Sequence, residues 1–106
     1  MGSTIRMTYL TAVVLHAIAT GRRYGFDIMD ATGIPDGTVY PALRRLTAAG
    51  YLEAQWEDRD EATARNRPPR KYYRLTAEGS AAYHAALDRF PGVANTFGPP
   101  APDVAV

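Results

Sequence analysis

Leu10, Val13, Val14, Ala17 and Ile18 recur at the three- and four-residue intervals of one helical face, and Gly21 supplies a stop. A second stripe, Tyr9, Ala12, His16 and Ala19, lies on another side of the same helix. A helix that is apolar on two sides must be covered on two sides, so this pattern requires another element or another subunit against it. A short helix fits residues 24–31, with Phe26, Ile28 and Met29 apolar, and Thr32-Gly33 ends it. Ile34-Pro35-Asp36-Gly37 then reads as a tight connection. A third helix starts between Asp36 and Thr38 and ends before Gly50. Its inward stripe is Val39, Ala42, Leu43 and Leu46, and its outward residues are Tyr40, Pro41, Arg44 and Arg45. Pro41 has no N–H to donate and is placed most comfortably in the first helical turn.

The period then changes from that of a helix to two. Leu52, Ala54 and Trp56 alternate with Glu53, Gln55 and Glu57, and Tyr73 and Leu75 alternate with Tyr72 and Arg74. Trp56 and Tyr73 fall on the inward strand faces and are expected in the core. Residues 58–69 between the strands are too polar for a core, contain Pro68-Pro69, and read as a long hairpin tip. Thr76 caps a C-terminal helix over residues 77–90, with Glu78 facing its positive end and Gly79, Tyr83, Ala86, Leu87 and Phe90 as its stripe. From Pro91 to the end, four prolines predict a tail, residues 91–106, without regular structure. At the other end, residues 1–7 form a short tail whose Met1-Gly2-Ser3 reads as a cloning scar. The domain proper is then residues 8–76, extended by the C-terminal helix.

Composition narrows the class without fixing it. The chain has 106 residues, is 46% hydrophobic and 22% charged, and contains no cysteine. This matches one globular domain and excludes disulfides, thiolate metal sites and a cysteine nucleophile. The longest apolar run, Ala12 to Leu15, is far short of the ~20 residues of a membrane helix, and no signal peptide is visible, so the cytoplasm is the expected compartment. Net charge is only +1, but it is unevenly placed. Five acids stand against Arg59 alone between Glu53 and Glu61, whereas Arg65 to Arg74 carries five bases and no acid. His16 and His84 are the only histidines and make a poor metal site, and no cofactor is implied. No Ser/His/Asp or paired-carboxylate arrangement is recognisable, and Gly33 to Gly37 lacks the Lys and spacing of a phosphate loop, so an enzyme is not expected.

The fold class that follows is mainly α with a small β-hairpin. Three helices, a two-stranded wing and one C-terminal helix make a winged helix-turn-helix. In that arrangement the third helix can enter the major groove of duplex DNA while the wing carries cations to flanking phosphates. Arg44 and Arg45 on the third helix, and Arg67, Arg70 and Lys71 on the wing, stand where this reading wants them. Thr38 and Tyr40 can offer hydroxyls to phosphate oxygens.

Several blocks carry a family resemblance. Tyr24-Gly25, Gly37-Thr38-Val39-Tyr40-Pro41-Ala42-Leu43-Arg44-Arg45-Leu46, Ala49-Gly50-Tyr51-Leu52 and Arg70-Lys71-Tyr72-Tyr73-Arg74-Leu75-Thr76-Ala77-Glu78-Gly79 together resemble the PadR family of bacterial transcription regulators. The resemblance implies a homodimeric repressor on a palindromic operator of double-stranded DNA, with the region around Tyr40 and Pro41 and the basic wing touching DNA. The chain departs from the family in its longer, more acidic wing tip and in its single C-terminal helix. Dimer contacts are therefore expected from Tyr9, Ala12 and His16 on the first helix and from Tyr83, Leu87 and Phe90 on the last. A small hydrophobic inducer between those helices of two subunits, near Tyr9, His16, Tyr83 or Phe90, is a further expectation from the stripes. The alternative is a winged helix used for protein–protein contact without DNA, which the near-zero net charge and the acidic tip favour slightly.

Overall fold

The computed structural model describes residues 6–97. Helix α1 (Tyr9–Ala19) lies at the centre. Thr8 caps it by accepting from the Thr11 N–H at 3.2 Å, and every residue from Thr11 to Ile18 is buried. Such continuous burial needs cover on all sides. It comes from α2 (Gly25–Thr32), α3 (Asp36–Ala48), the second strand, the C-terminal helix and a 3₁₀ turn. Of the second stripe of α1, Ala12 and His16 are covered by further elements of the same chain, whereas Tyr9 and Ala19 stay exposed.

Gly33 ends α2 at φ 73°, a left-handed conformation that glycine adopts without strain. Val39, Ala42, Leu43 and Leu46 anchor α3 to the core. The helix begins at the early end of the expected window, with Pro35 as N-cap, so Pro41 lies inside the helix and not in its first turn. Strands β1 (Leu52–Trp56) and β2 (Lys71–Leu75) pair antiparallel, from Leu52 opposite Leu75 to Trp56 opposite Lys71.

Burial fades along that hairpin. Leu52 and Tyr73 are buried and Ala54 is half-buried, but Trp56 is 63% exposed. The expectation that Trp56 joins the core is wrong. The tryptophan is on the inward face, but there an open cleft separates the hairpin from Phe26 of α2 and Tyr40 of α3, so the ring is left uncovered. The tip is also more ordered than expected. Asp58 accepts from the Asp60 N–H at 2.8 Å and starts helix α4 (Arg59–Ala64), whose Ala62 is fully buried. Asp60 and Glu61 lie in its first turn, where the helix dipole favours them. Asn66, at φ 58°, turns the chain back after α4.

Helix α5 (Ala77–Arg89) starts as expected at Thr76, which accepts from the Gly79 N–H at 3.0 Å. The segment after it departs from the sequence expectation: Pro91–Asn95 forms a 3₁₀ turn whose Val93 is fully buried in the main core. Val93, flanked by Phe90 and Phe97 packed against the same core, docks this stretch despite its proline and glycine. The rest of the expected tail, from residue 98, lies outside the described residues.

Candidate nucleic-acid interface

The connection between α2 and α3 fixes the direction of the third helix. Thr38 and Val39 donate their N–H groups to the Pro35 carbonyl at 3.0 Å, and Asp36 accepts from the Gly37 N–H at 2.8 Å. With the apolar stripe buried, Tyr40, Arg44 and Arg45 are exposed, and Thr38 and Pro41 half-exposed. At 100° per residue these fall on two flanks. Tyr40 and Arg44 lie on one flank, and Thr38, Pro41 and Arg45 on the other.

The wing approaches the first flank. Tyr24, at the start of α2, forms a bridge pair with Tyr72, and the Tyr73 N–H donates to the Arg23 carbonyl at 2.8 Å. The rings of Tyr24 and Tyr72 meet edge to face at 5.6 Å, and the Arg70 guanidinium stacks 4.2 Å from the Tyr24 ring centre. Wing and helix-turn-helix are therefore joined, and between them opens a cleft of 830 Å³. Tyr40, Arg44, Arg67, Arg70 and Lys71 all line it, and so do Phe26 and Trp56. Among the described residues that line it there is no carboxylate.

Gly25 makes this geometry possible. A Cβ at that position would lie 2.5 Å from Cε1 of Tyr40, so the tyrosine ring packs directly on the glycine backbone. Tyr73 is buried beneath the same wall, and burial raises its phenol above the ordinary value, with Tyr40 nearby adding to the rise and Arg44 opposing it.

Arg67 differs from the other wing cations. Its guanidinium forms a two-pronged pair with both Glu57 oxygens, one contact at 2.8 Å, and the two side chains are only 19% and 7% exposed. Glu57 also accepts from the Arg70 N–H at 3.2 Å. The hydrogen bond from Arg67 is the largest of the causes that hold the Glu57 carboxyl down at about 2. Arg67 was expected to grip phosphates. Its guanidinium is paired with Glu57, which closes the base of the α4 insertion, and it also lines the cleft. Nothing in the local sequence marks the pair, because its members are ten residues apart across an irregular tip.

None of the expected dimer residues lines the cleft, and they divide. Ala12 and His16 are sealed within their own chain: His16 Nδ1 shares a 2.7 Å hydrogen bond with the Tyr83 hydroxyl, and the Phe97 ring lies 5.0 Å away. As residues for direct contact with a second subunit, these two are corrected by their burial. Burial also lowers the His16 pKa and raises that of Tyr83. Tyr9 stays 45% exposed with its ring edge-on to Phe90 at 6.0 Å, while Leu87 and Phe90 are half-buried. Among the described residues no group of three His, Asp or Glu side chains is placed to hold a metal ion, and no helix is long and apolar enough to cross a membrane.

A helix-turn-helix followed by a two-stranded wing, with hydroxyl and cationic side chains facing one cleft, defines a winged-helix regulator. The pattern of the transcriptional regulator PadR-like family matches residues 14–85, and the chain belongs to that family. Its members are transcription regulators, not enzymes. Solved structures agree in fold. A PadR family transcription regulator from Clostridium difficile R20291 is similar with a TM-score of 0.68 at 19% identity, over 83% of this chain and 93% of that one. A PadR-like transcription factor from Bacteroides fragilis gives 0.65 at 25% identity, over 82% and 84%. A transcriptional regulator from Clostridium thermocellum gives 0.65 at 24%, over 78% and 83%. None of the curated proteins matches the chain.

Proposed function

We propose that this regulator is a cytoplasmic repressor that acts as a homodimer on a palindromic operator. The observation that carries the reading is the convergence of Tyr40, Arg44, Arg70 and Lys71 on one cleft free of carboxylates among its described lining. Helix α3 enters the major groove, where its N-terminal residues meet base edges and phosphates. Thr38, Pro41 and Arg45 meet the strand on the far flank of that helix. Arg70 and Lys71 reach the phosphates beside the cleft. Two copies meet through Tyr9, Leu87 and Phe90, with Tyr83 behind them, and hold their α3 helices about 34 Å apart, one turn of duplex. Occupation of the operator then denies it to the transcription machinery.

A fluorescence-anisotropy titration with labelled duplex tests this reading. Wild-type protein binds a selected operator with an affinity that falls steeply with salt. Lys71→Ala weakens binding and lowers the slope of log K against log salt by about 0.9 for the phosphate contact removed. Retention of full affinity by both Lys71→Ala and Tyr40→Ala would refute it.

A further inference from the structure

Five large hydrophobic side chains are exposed among the described residues, and three of them, Phe26 at 68%, Trp56 at 63% and Tyr40 at 41%, line the cleft between α3 and the wing. Rings of this size in water are costly unless something covers them. The same cleft holds Arg44, Arg70 and Lys71, none of which has an ion-pair partner among the described residues. Its lining is thus apolar and cationic together.

One surface of a duplex has the complementary character. A protein with a helix in the major groove and a hairpin on the flank straddles the sugar–phosphate ridge between them. That ridge presents the apolar faces of deoxyribose rings alternating with anionic phosphates. We propose that the cleft cradles one strand's sugar–phosphate ridge and that Trp56 is a DNA-contact residue, its ring packed on deoxyribose. This rests on the DNA-binding reading and deepens it. The cations supply the part of the affinity that salt screens, and the rings supply a part that salt does not. Lys71 is the cross-strand partner of Trp56, with Nζ 5.6 Å from its ring centre, so the two side chains reach the ridge together, one for the sugar and one for the phosphate.

The chain contains a single tryptophan, which makes the contact directly observable. Binding of the full-length wild type to a selected operator and to a random duplex is followed by the anisotropy of labelled DNA, and acrylamide quenching of Trp56 is measured in the same complexes. Trp56 is expected to be protected from acrylamide at the protein concentrations where anisotropy rises. Trp56→Ala weakens binding to both duplexes by about tenfold, from loss of about half the ring's accessible area as a contact. Because no cation is removed, its salt slope is that of the wild type. Trp56→Phe, which keeps an apolar ring, stays within about threefold of wild type. Circular dichroism of both variants matches wild type, since the side chain is exposed.

Unchanged quenching in a complex that anisotropy shows to have formed would overturn the proposal. So would wild-type affinity in Trp56→Ala. A reduced salt slope in that variant would also overturn it, because Trp56 would then act only by holding Lys71. A loss confined to the selected operator would assign the ring to base reading instead. Failure of the wild type to bind either duplex would instead strike the DNA-binding reading itself, and this inference with it.

Discussion

Gly79→Ala is the substitution whose consequence follows most directly from the coordinates. A Cβ on Gly79 would lie 1.9 Å from the carbonyl oxygen of Tyr51, whereas ordinary contact begins near 3.4 Å. The first turn of α5 must therefore retreat by about 1.5 Å from the segment that joins α3 to β1. The same junction is held by hydrogen bonds that cannot follow. The Thr76 N–H donates to the Tyr51 carbonyl at 3.1 Å, and its hydroxyl donates to the Gly50 carbonyl at 2.6 Å while accepting from the Gly79 N–H at 3.0 Å. Overpacking costs about 2 kcal/mol, the lost cap about 1 kcal/mol, and the two stretched hydrogen bonds to the Gly50 and Tyr51 carbonyls about 0.5 kcal/mol each. Against this, alanine gains about 1 kcal/mol in helix propensity. The net loss is about 3 kcal/mol, which in a domain of this size lowers Tm by roughly 15 °C. Urea and thermal unfolding followed by far-ultraviolet circular dichroism measure it. Gly37→Ala is the control, since a Cβ there meets nothing within 4 Å. That variant is expected to gain about 0.5 kcal/mol. Stability of Gly79→Ala within about 0.5 kcal/mol of wild type would refute the reasoning.

Gly25→Ala drives the exposed Tyr40 ring off its seat, so stability changes by less than about 1 kcal/mol while operator affinity falls as far as in Tyr40→Ala. The double variant loses no more than either single one in an anisotropy cycle, and additive losses would break the link between the two residues. Glu57 has its carboxyl held at about 2, below its unfolded value, so the Arg67 clamp contributes fully above about pH 4.5 and is lost as pH falls toward 2. Protection of the α4 amides, taken against the intrinsic exchange rate at each pH, should fall over that window and be already low at neutral pH in Glu57→Gln. His16 is held neutral by burial, with a pKa below 6.5, so stability is complete above that pH and declines as pH falls through the lower folded value. Thermal melts between pH 8 and 5 check the decline, and an NMR titration placing the His16 ring at or above 6.5 would contradict it.

Local pattern revealed most of the architecture, because most of its causes are local. Caps, turn glycines and stripe periods belong to neighbouring residues. Thr76 capping α5, Gly33 and Gly50 in left-handed conformations, and the buried face of α3 were all readable in this way. What escaped depends on lengths and partners that no window of sequence contains. Alternation puts Trp56 on the inward face but cannot say that an open cleft separates it from the helices. The Glu57–Arg67 pair spans a tip whose path is set by α4, itself a six-residue helix too short to show a period. The second stripe of α1 demanded a cover, and only the path of α5 and the 3₁₀ turn shows that the same chain supplies it at Ala12 and His16 but not at Tyr9 and Ala19. Tyr40, Arg44, Arg70 and Lys71, singled out from the sequence, share one cleft, whereas Phe26 was read only as an apolar residue of the second helix and lines that cleft instead.

Whether two copies lay their α3 helices into successive major grooves is read out by binding-site selection from random duplex followed by sequencing. A dimer of this geometry enriches an inverted repeat whose half-site centres are about ten base pairs apart. Enrichment of a single unpaired half-site, or of no sequence at all, would contradict it.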